Sequence, residues 1–200
     1  MSDYSNFLRL NPDKQQNIIN AALEVFGENG YNKTSMQDIA NKANISKPSL
    51  FYYFGTKNDL YLFLYKFSCD KIISQMTEGG EDFFDCLMLS SKIKLKVMKS
   101  YPGLYSFLLS IVKEENAEIL KQLEEYNAED VAKSAQMLFK NVNWDKFIPD
   151  IDKETIFKTV SYISSGFIKD HIKDDPEDII NKIQPILMLF KRAVYKEEYL

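Results

Sequence analysis

Between Ser46 and Lys57 the chain crowds together two small hydroxyls (Ser46, Ser49), two cations (Lys47, Lys57) and two phenols (Tyr52, Tyr53). All of them donate hydrogen bonds to anionic oxygens, and none is a nucleophile paired with a base. Chemistry is thin elsewhere. The single histidine, His171, is followed by Asp174 and Asp175 and reads as a solvated or capping residue, and one imidazole is short of a transition-metal ligand set. Cys69 and Cys86 sit singly in apolar patterns with no Cys-x-x-Cys spacing, so they read as reduced, buried thiols. Acidic residues are spread along polar faces and do not converge. Acyl or glycosyl transfer is therefore disfavoured, no metal or cofactor is expected, and the donor cluster points to binding of phosphates and base edges.

Those donors need rigid elements to present them. Asn11-Pro12 opens a first helix over about 12–28, in which Ile18, Ile19, Ala22, Val25 and Phe26 recur at helical spacing, and Gly30 ends it. Thr34-Ser35 caps a second helix, with Asp38 in its first turn, that stops near Ala43. After Ala43-Asn44-Ile45, Ser46 caps a third helix with Pro48 just inside its start, and Leu50 and Phe54 share an inward face. Residues 35–53 thus form two short helices and a tight turn, the geometry that lets the second helix enter a major groove about 12 Å wide while the first crosses the backbone. The turn favours glycine, and Asn44 is among the residues that adopt the left-handed conformation at least cost.

Successive helical residues turn by ~100°, so the three aromatics Phe51, Tyr52 and Tyr53 cannot all face inward. An exposed Tyr52 is expected. The candidate DNA-contacting residues are Thr34, Ser35, Ser46, Lys47, Pro48, Ser49, Phe51, Tyr52, Tyr53 and Lys57. Thr34, Ser46 and Thr56 serve equally well as helix caps.

Gly55-Thr56 breaks the pattern, and Thr56 starts a fourth helix reaching about Thr77, ~33 Å long, before Gly79-Gly80. Helical patterns continue over about 81–100, 102–113, 115–141, 153–173 and 176–197, and no segment shows sustained period-two alternation. The expected fold is all-α with about nine helices. A three-helix N-terminal bundle (1–57) is joined through the long fourth helix to a larger C-terminal bundle (58–200) without a flexible linker. The formal charge is −4, but residues 1–57 hold six basic and five acidic side chains, a net +1, so nucleic-acid contact falls to that part. No uncharged apolar run of eighteen residues occurs and Met1–Leu10 lacks a secretory pattern, so a cytoplasmic protein with no membrane partner is expected.

Ile19, Ala21-Ala22, Phe26, Gly30-Tyr31, Thr34, Ile39-Ala40, Ala43, Ile45-Ser46, Leu50, Tyr53-Phe54, Lys57 and Leu60 together resemble the N-terminal pattern of the TetR family of transcriptional regulators. The resemblance covers about residues 14–62. Asn44 stands where the family usually has glycine. Phe51 stands where it usually has tyrosine, and a phenylalanine cannot donate the hydroxyl bond to phosphate that the family often makes there. The resemblance implies a homodimeric repressor that binds a palindromic operator in double-stranded DNA and is released by a small-molecule effector. It implies an effector pocket in the C-terminal bundle, for which Phe67, Met88, Tyr105, Met137 and Tyr162 are lining candidates; the scarcity of charge on these faces suggests an apolar or amphipathic ligand. It also implies a dimer contact through the last two helices, with Ile163, Gly166, Phe167, Ile183, Ile186, Leu187 and Phe190 as candidates. The alternative is a ligand-binding or interaction module whose helix-turn-helix is degenerate.

Overall fold

The computed structural model describes residues 4–171 and 173–200, apart from the side chains of residues 126–128. Among the described residues the chain is all-α: α1 (Ser5–Leu8), α2 (Pro12–Lys33), α3 (Met36–Lys42), α4 (Lys47–Phe54), α5 (Lys57–Ile73), α6 (Phe83–Ser100), α7 (Leu104–Val112), α8 (Ala117–Leu138), α9 (Lys153–Asp170) and α10 (Pro176–Val194). Short 3-10 turns follow at Trp144–Lys146 and Glu197–Tyr199, and the sole β-type pairing among these residues is an isolated bridge between Phe147 and Tyr195. Among the described residues no helix is long and apolar enough to cross a membrane.

Two compact units emerge, and the division falls within α6 and α8. The first takes the chain up to Gln75 together with Lys96–Ala132, so it runs well past residue 57. Its core joins Ile18, Ala22 and Phe26 of α2, Ile39 of α3, Leu50 and Phe54 of α4, Leu60 and Leu64 of α5 and Phe107 of α7. α2 lies close against α7 because two glycines permit it. A Cβ on Gly27 would sit 2.8 Å from the Phe107 backbone nitrogen. One on Gly103, whose φ is 84°, would sit 2.7 Å from the Glu24 nitrogen.

α2 shows the expected break at Gly30 (φ 71°), with one further turn before Thr34. α1 was not foreseen: four residues are too short to show periodicity, yet Phe7 is fully buried, 4.7 Å from the Phe54 ring and 5.3 Å from Phe63. Tyr4 adds a hydrogen bond from its hydroxyl to the Asp59 carbonyl at 3.1 Å. α5 ends at Ile73, short of the expected Thr77. Its 17 residues span about 25 Å. Beyond it the chain is drawn elsewhere: the Gly79 amide donates to the Leu138 carbonyl at 3.1 Å, and the Glu78 carboxylate pairs with Lys140 at 2.7 Å.

The second unit comprises Met76–Leu95 and Lys133–Leu200. Phe83, Phe84, Leu138, Phe147, Ile156, Val160, Ile183, Leu187 and Tyr195 form its core. Asp82 stitches it together. One carboxylate oxygen accepts from the amides of Phe84 and Asp85 at the start of α6, while the other meets Lys191 at 2.8 Å and Lys146 at 3.7 Å. Cys69 and Cys86 are not joined in a disulfide. His171 ends α9, its Nδ1 3.0 Å from the Phe167 carbonyl and its ring stacked on Phe167.

Candidate nucleic-acid interface

The turn between α3 and α4 is built by the backbone. Asn44 (φ 53°) is the one non-glycine residue of positive φ among the described residues. Placing it there lets the Ile45 amide reach back to the Ala40 carbonyl (3.0 Å) and the Asn44 amide to Asn41 (3.1 Å), the paired bonds that close a helix on a left-handed residue. Upstream, Ser35 and Asp38 form a reciprocal capping box at the start of α3. Downstream, Ser46 accepts from the Ser49 amide, and the two hydroxyls lie 2.7 Å apart.

α4 has two contrasting faces. Leu50 and Phe54, four apart, are buried in the core, and the half-buried Tyr53 meets Phe7 edge-on at 6.4 Å. Opposite them, Lys47, Pro48, Phe51 and Tyr52 are exposed, at 40% for Phe51 and 66% for Tyr52. The Lys47 ammonium lies 5.9 Å from the Phe51 ring. Ser46 is exposed and Ser49 half-buried at the start of this face. The result is a surface about two turns long bearing a cation, a phenol, two hydroxyls and two apolar contacts.

Other sequence-nominated residues have partners within the protein. Thr34 is 3% exposed, and its hydroxyl donates to the carbonyls of Gly30 (2.8 Å) and Val25 (3.2 Å). The Ser35 hydroxyl is exposed but bonded to Asp38 at 2.6 Å. Lys57 lies over the Tyr31 ring at 4.4 Å and donates to the carbonyls of Tyr31 (2.9 Å) and Thr34 (3.1 Å), holding the end of α2 to the start of α5. An ammonium has three donors, so one remains to point outward. Thr56 caps α5 reciprocally with Asp59. Lys42, on the exposed side of α3, pairs with Glu24 at 2.7 Å, and that bond raises its pKa.

In the C-terminal part the candidates divide. Phe67 and Tyr105 belong to the first unit, where Phe67 meets Tyr101 edge-on at 5.2 Å. Met88 and Met137 are half-buried in the second unit, and Tyr162 lies 73% exposed on α9. Of the dimer candidates, Ile183 and Leu187 are buried within the second unit and Phe190 packs on Phe84 at 6.0 Å. Ile163 and Phe167 are half-buried; Gly166 and Ile186 are exposed, and a Cβ on Gly166 would meet nothing within 4 Å. Leu189, which the sequence reading did not single out, is 69% exposed on α10.

Residues 18–63 match the profile of the bacterial regulatory proteins of the tetR family. Over 91 residues the chain is 32% identical to the HTH-type transcriptional regulator RutR of Escherichia coli K12, a match that takes in 44% of this chain and 43% of that relative. The chain thus spans less than half of that curated relative. Two solved structures share its fold. A TetR family transcriptional regulator from Chloroflexus aurantiacus superposes with a TM-score of 0.63 at 19% identity, covering 96% of this chain and 98% of that one. The regulator FadR from Bacillus subtilis, solved in complex with stearoyl-CoA, gives 0.60 at 18% identity, covering 86% and 96%. Residues 18–63 are thus similar in sequence to the bacterial regulatory proteins of the tetR family, and the chain shares its fold with these two structures.

Proposed function

We propose that the protein is a sequence-specific, DNA-binding transcriptional regulator that reads a palindromic operator as a homodimer and is released by a small amphipathic effector. The observation that carries this reading is the outward face of α4. Lys47, Ser49 and Tyr52 present donors to phosphates and base edges, and Pro48 and Phe51 offer apolar contact to thymine methyls, on a helix whose opposite face is locked in the core. Thr34 contributes through α3 positioning, and Lys57 holds the junction and offers its third N–H to a phosphate.

A palindrome requires two reading heads about one DNA turn, ~34 Å, apart. The apolar side chains left open on the last two helices, Ile186 and Leu189 with the exposed Tyr162 and the bare Gly166, suit a second copy. An effector then acts by population shift. It favours the arrangement of heads that does not fit DNA, and about 1–3 kcal/mol of coupling changes operator affinity 5–150-fold. DNA lies in the cytoplasm of a bacterium, which is where the protein would act. Gel-shift titration of the DNA upstream of its own gene tests the reading. A folded protein that gives no shift above that of scrambled DNA refutes it.

A further inference from the structure

Within the second unit, Phe83, Phe139, Trp144 and Phe157 pack ring against ring. Phe83 is fully buried and touches the other three, at 5.1 Å from Phe139, 5.7 Å from Trp144 and 5.3 Å from Phe157. Phe157 follows the core residue Ile156 on α9 and meets Phe139 edge-on at 5.0 Å and Trp144 at 6.0 Å, yet 38% of its surface stays open. It opens onto a groove of about 480 Å³ lined by Ala135, Gln136, Phe139, Lys140, Trp144 and Phe157, where the end of α8, the turn at Trp144–Lys146 and the start of α9 come together. That volume lies within the ~300–1,000 Å³ typical of small-molecule sites. None of the pocket candidates nominated from sequence lines it.

Each wall ring is held by at least two other rings, so the groove is shaped before any guest arrives. Phe139 and Phe157 stand at 80° to one another. A flat guest lying parallel to one of them meets the other edge-on, and these are the two arrangements that aromatic pairs favour. Charge sets the sign of the guest. Lys153 lies over the Trp144 ring at 4.5 Å and has no carboxylate partner among the described residues. Lys140, on the groove wall, is paired with Glu78 at 2.7 Å. The carboxylates at the start of α9 are engaged elsewhere: Asp152 accepts from the Thr155 amide and hydroxyl, and Glu154 holds Lys158 at 2.6 Å. Asp145 does not line the groove. The rim therefore carries one uncompensated positive charge, to which Gln136 adds an amide donor. We infer that this groove binds a planar aromatic carboxylate, with its ring among Phe139, Trp144 and Phe157 and its carboxylate toward Lys153. That such a ligand is the effector rests on the proposed regulatory reading; that it binds here does not.

The chain holds a single tryptophan, so the indole N–H cross-peak of Trp144 in a proton–nitrogen correlation spectrum reports the groove alone. Calorimetric titration of the purified protein compares 2-naphthoate with 2-naphthylmethanol and 2-naphthyltrimethylammonium, which keep the ring and change the charge, and with octanoate, which keeps the charge and loses the ring. Naphthoate is expected to bind tightest, about fivefold over the alcohol as befits an ion pair at an open rim, and to move the indole peak. Lys153→Gln brings naphthoate and the alcohol within about twofold of one another. Phe157→Leu, checked for folding by its melting curve, weakens both by about three- to tenfold. The inference is overturned if no probe binds, if the alcohol, the ammonium or octanoate matches naphthoate, if the indole peak stays in place at saturation, or if the preference survives Lys153→Gln. An indole peak that moves with protein concentration alone also overturns it, because a second copy then fills the groove. Gel shifts with naphthoate separate the two claims. Groove binding that leaves operator affinity unchanged sinks the effector role and leaves the aromatic-anion site standing.

Discussion

The side-chain amide of Asn17 donates to the Ala43 carbonyl at 2.7 Å, tying the middle of α2 to the residue that precedes the turn. Ala43 is buried, so this carbonyl has few other partners. Asn17→Leu leaves it unsatisfied and should cost about 1–3 kcal/mol in urea denaturation. Operator affinity should fall with an unchanged salt slope, because no phosphate contact is lost. A variant as stable as the native protein would show that the bond does not hold the turn.

Lys47→Ala and Tyr52→Ala should both weaken operator binding, but in different ways. Removing a cation from a phosphate reduces the slope of log K against log salt by about one, whereas removing a neutral phenol lowers affinity at every salt concentration and leaves the slope alone. Native affinity and slope in both variants would remove α4's outward face from the interface.

Asn44 occupies a left-handed position that favours glycine. Asn44→Gly should be neutral or mildly stabilising, and Asn44→Val should cost about 1–2 kcal/mol because a β-branched side chain meets the following carbonyl oxygen there. Chemical denaturation of the two variants gives the comparison; equal stabilities would deny that the conformation is what selects asparagine.

How far the site could be read from sequence depends on which physical scale set each residue. Caps, turn residues and the 3.6-residue repeat are local, so α2 to α4, the Ser35, Ser46 and Thr56 caps, the left-handed Asn44 and the exposed Tyr52 were all legible. Partners distant in sequence were not. Nothing near Lys57 announces that its ammonium is spent on carbonyls more than twenty positions away, nor does anything near Thr34 announce that its hydroxyl turns inward. α1 escaped because one turn has no period, and α5 ended early because Gly79 pairs with a helix terminus remote in sequence.

Gly27→Ala should destabilise by about 1–3 kcal/mol, since the added methyl lies too close to the Phe107 backbone for a side-chain shift to relieve it. Gly80→Ala, where a Cβ would meet nothing within 4 Å, is the control. Thermal unfolding of the pair reads the difference, and equal midpoints would mean that α2 and α7 can separate without cost.

Asp82 gives a pH dependence of defined sign. Burial raises its pKa, but the hydrogen bond from Lys191, the Asp85 amide and the charges of Lys191 and Lys146 outweigh it and hold the carboxyl below its ordinary value. A carboxylate whose pKa is lower folded than unfolded stabilises fully above the unfolded value, near 3.9, and that stability is lost as pH falls through the folded one. Asp82→Asn should therefore reduce stability at pH 7, with the gap to the native protein closing as the pH drops below about 4. A gap of constant size from pH 7 to pH 3 would show that the loss is not electrostatic.

α4 turns one stripe, Leu50 and Phe54, to the core and another, Lys47, Pro48, Phe51 and Tyr52, to the outside. The two sets of positions therefore answer to separate physical demands, packing on one side and solvent-facing contact on the other. If α4 reads DNA as proposed, mutations along the outer stripe would retarget the helix to a new operator while leaving the melting temperature where it was, so a lineage could explore new regulatory connections without first acquiring surplus stability.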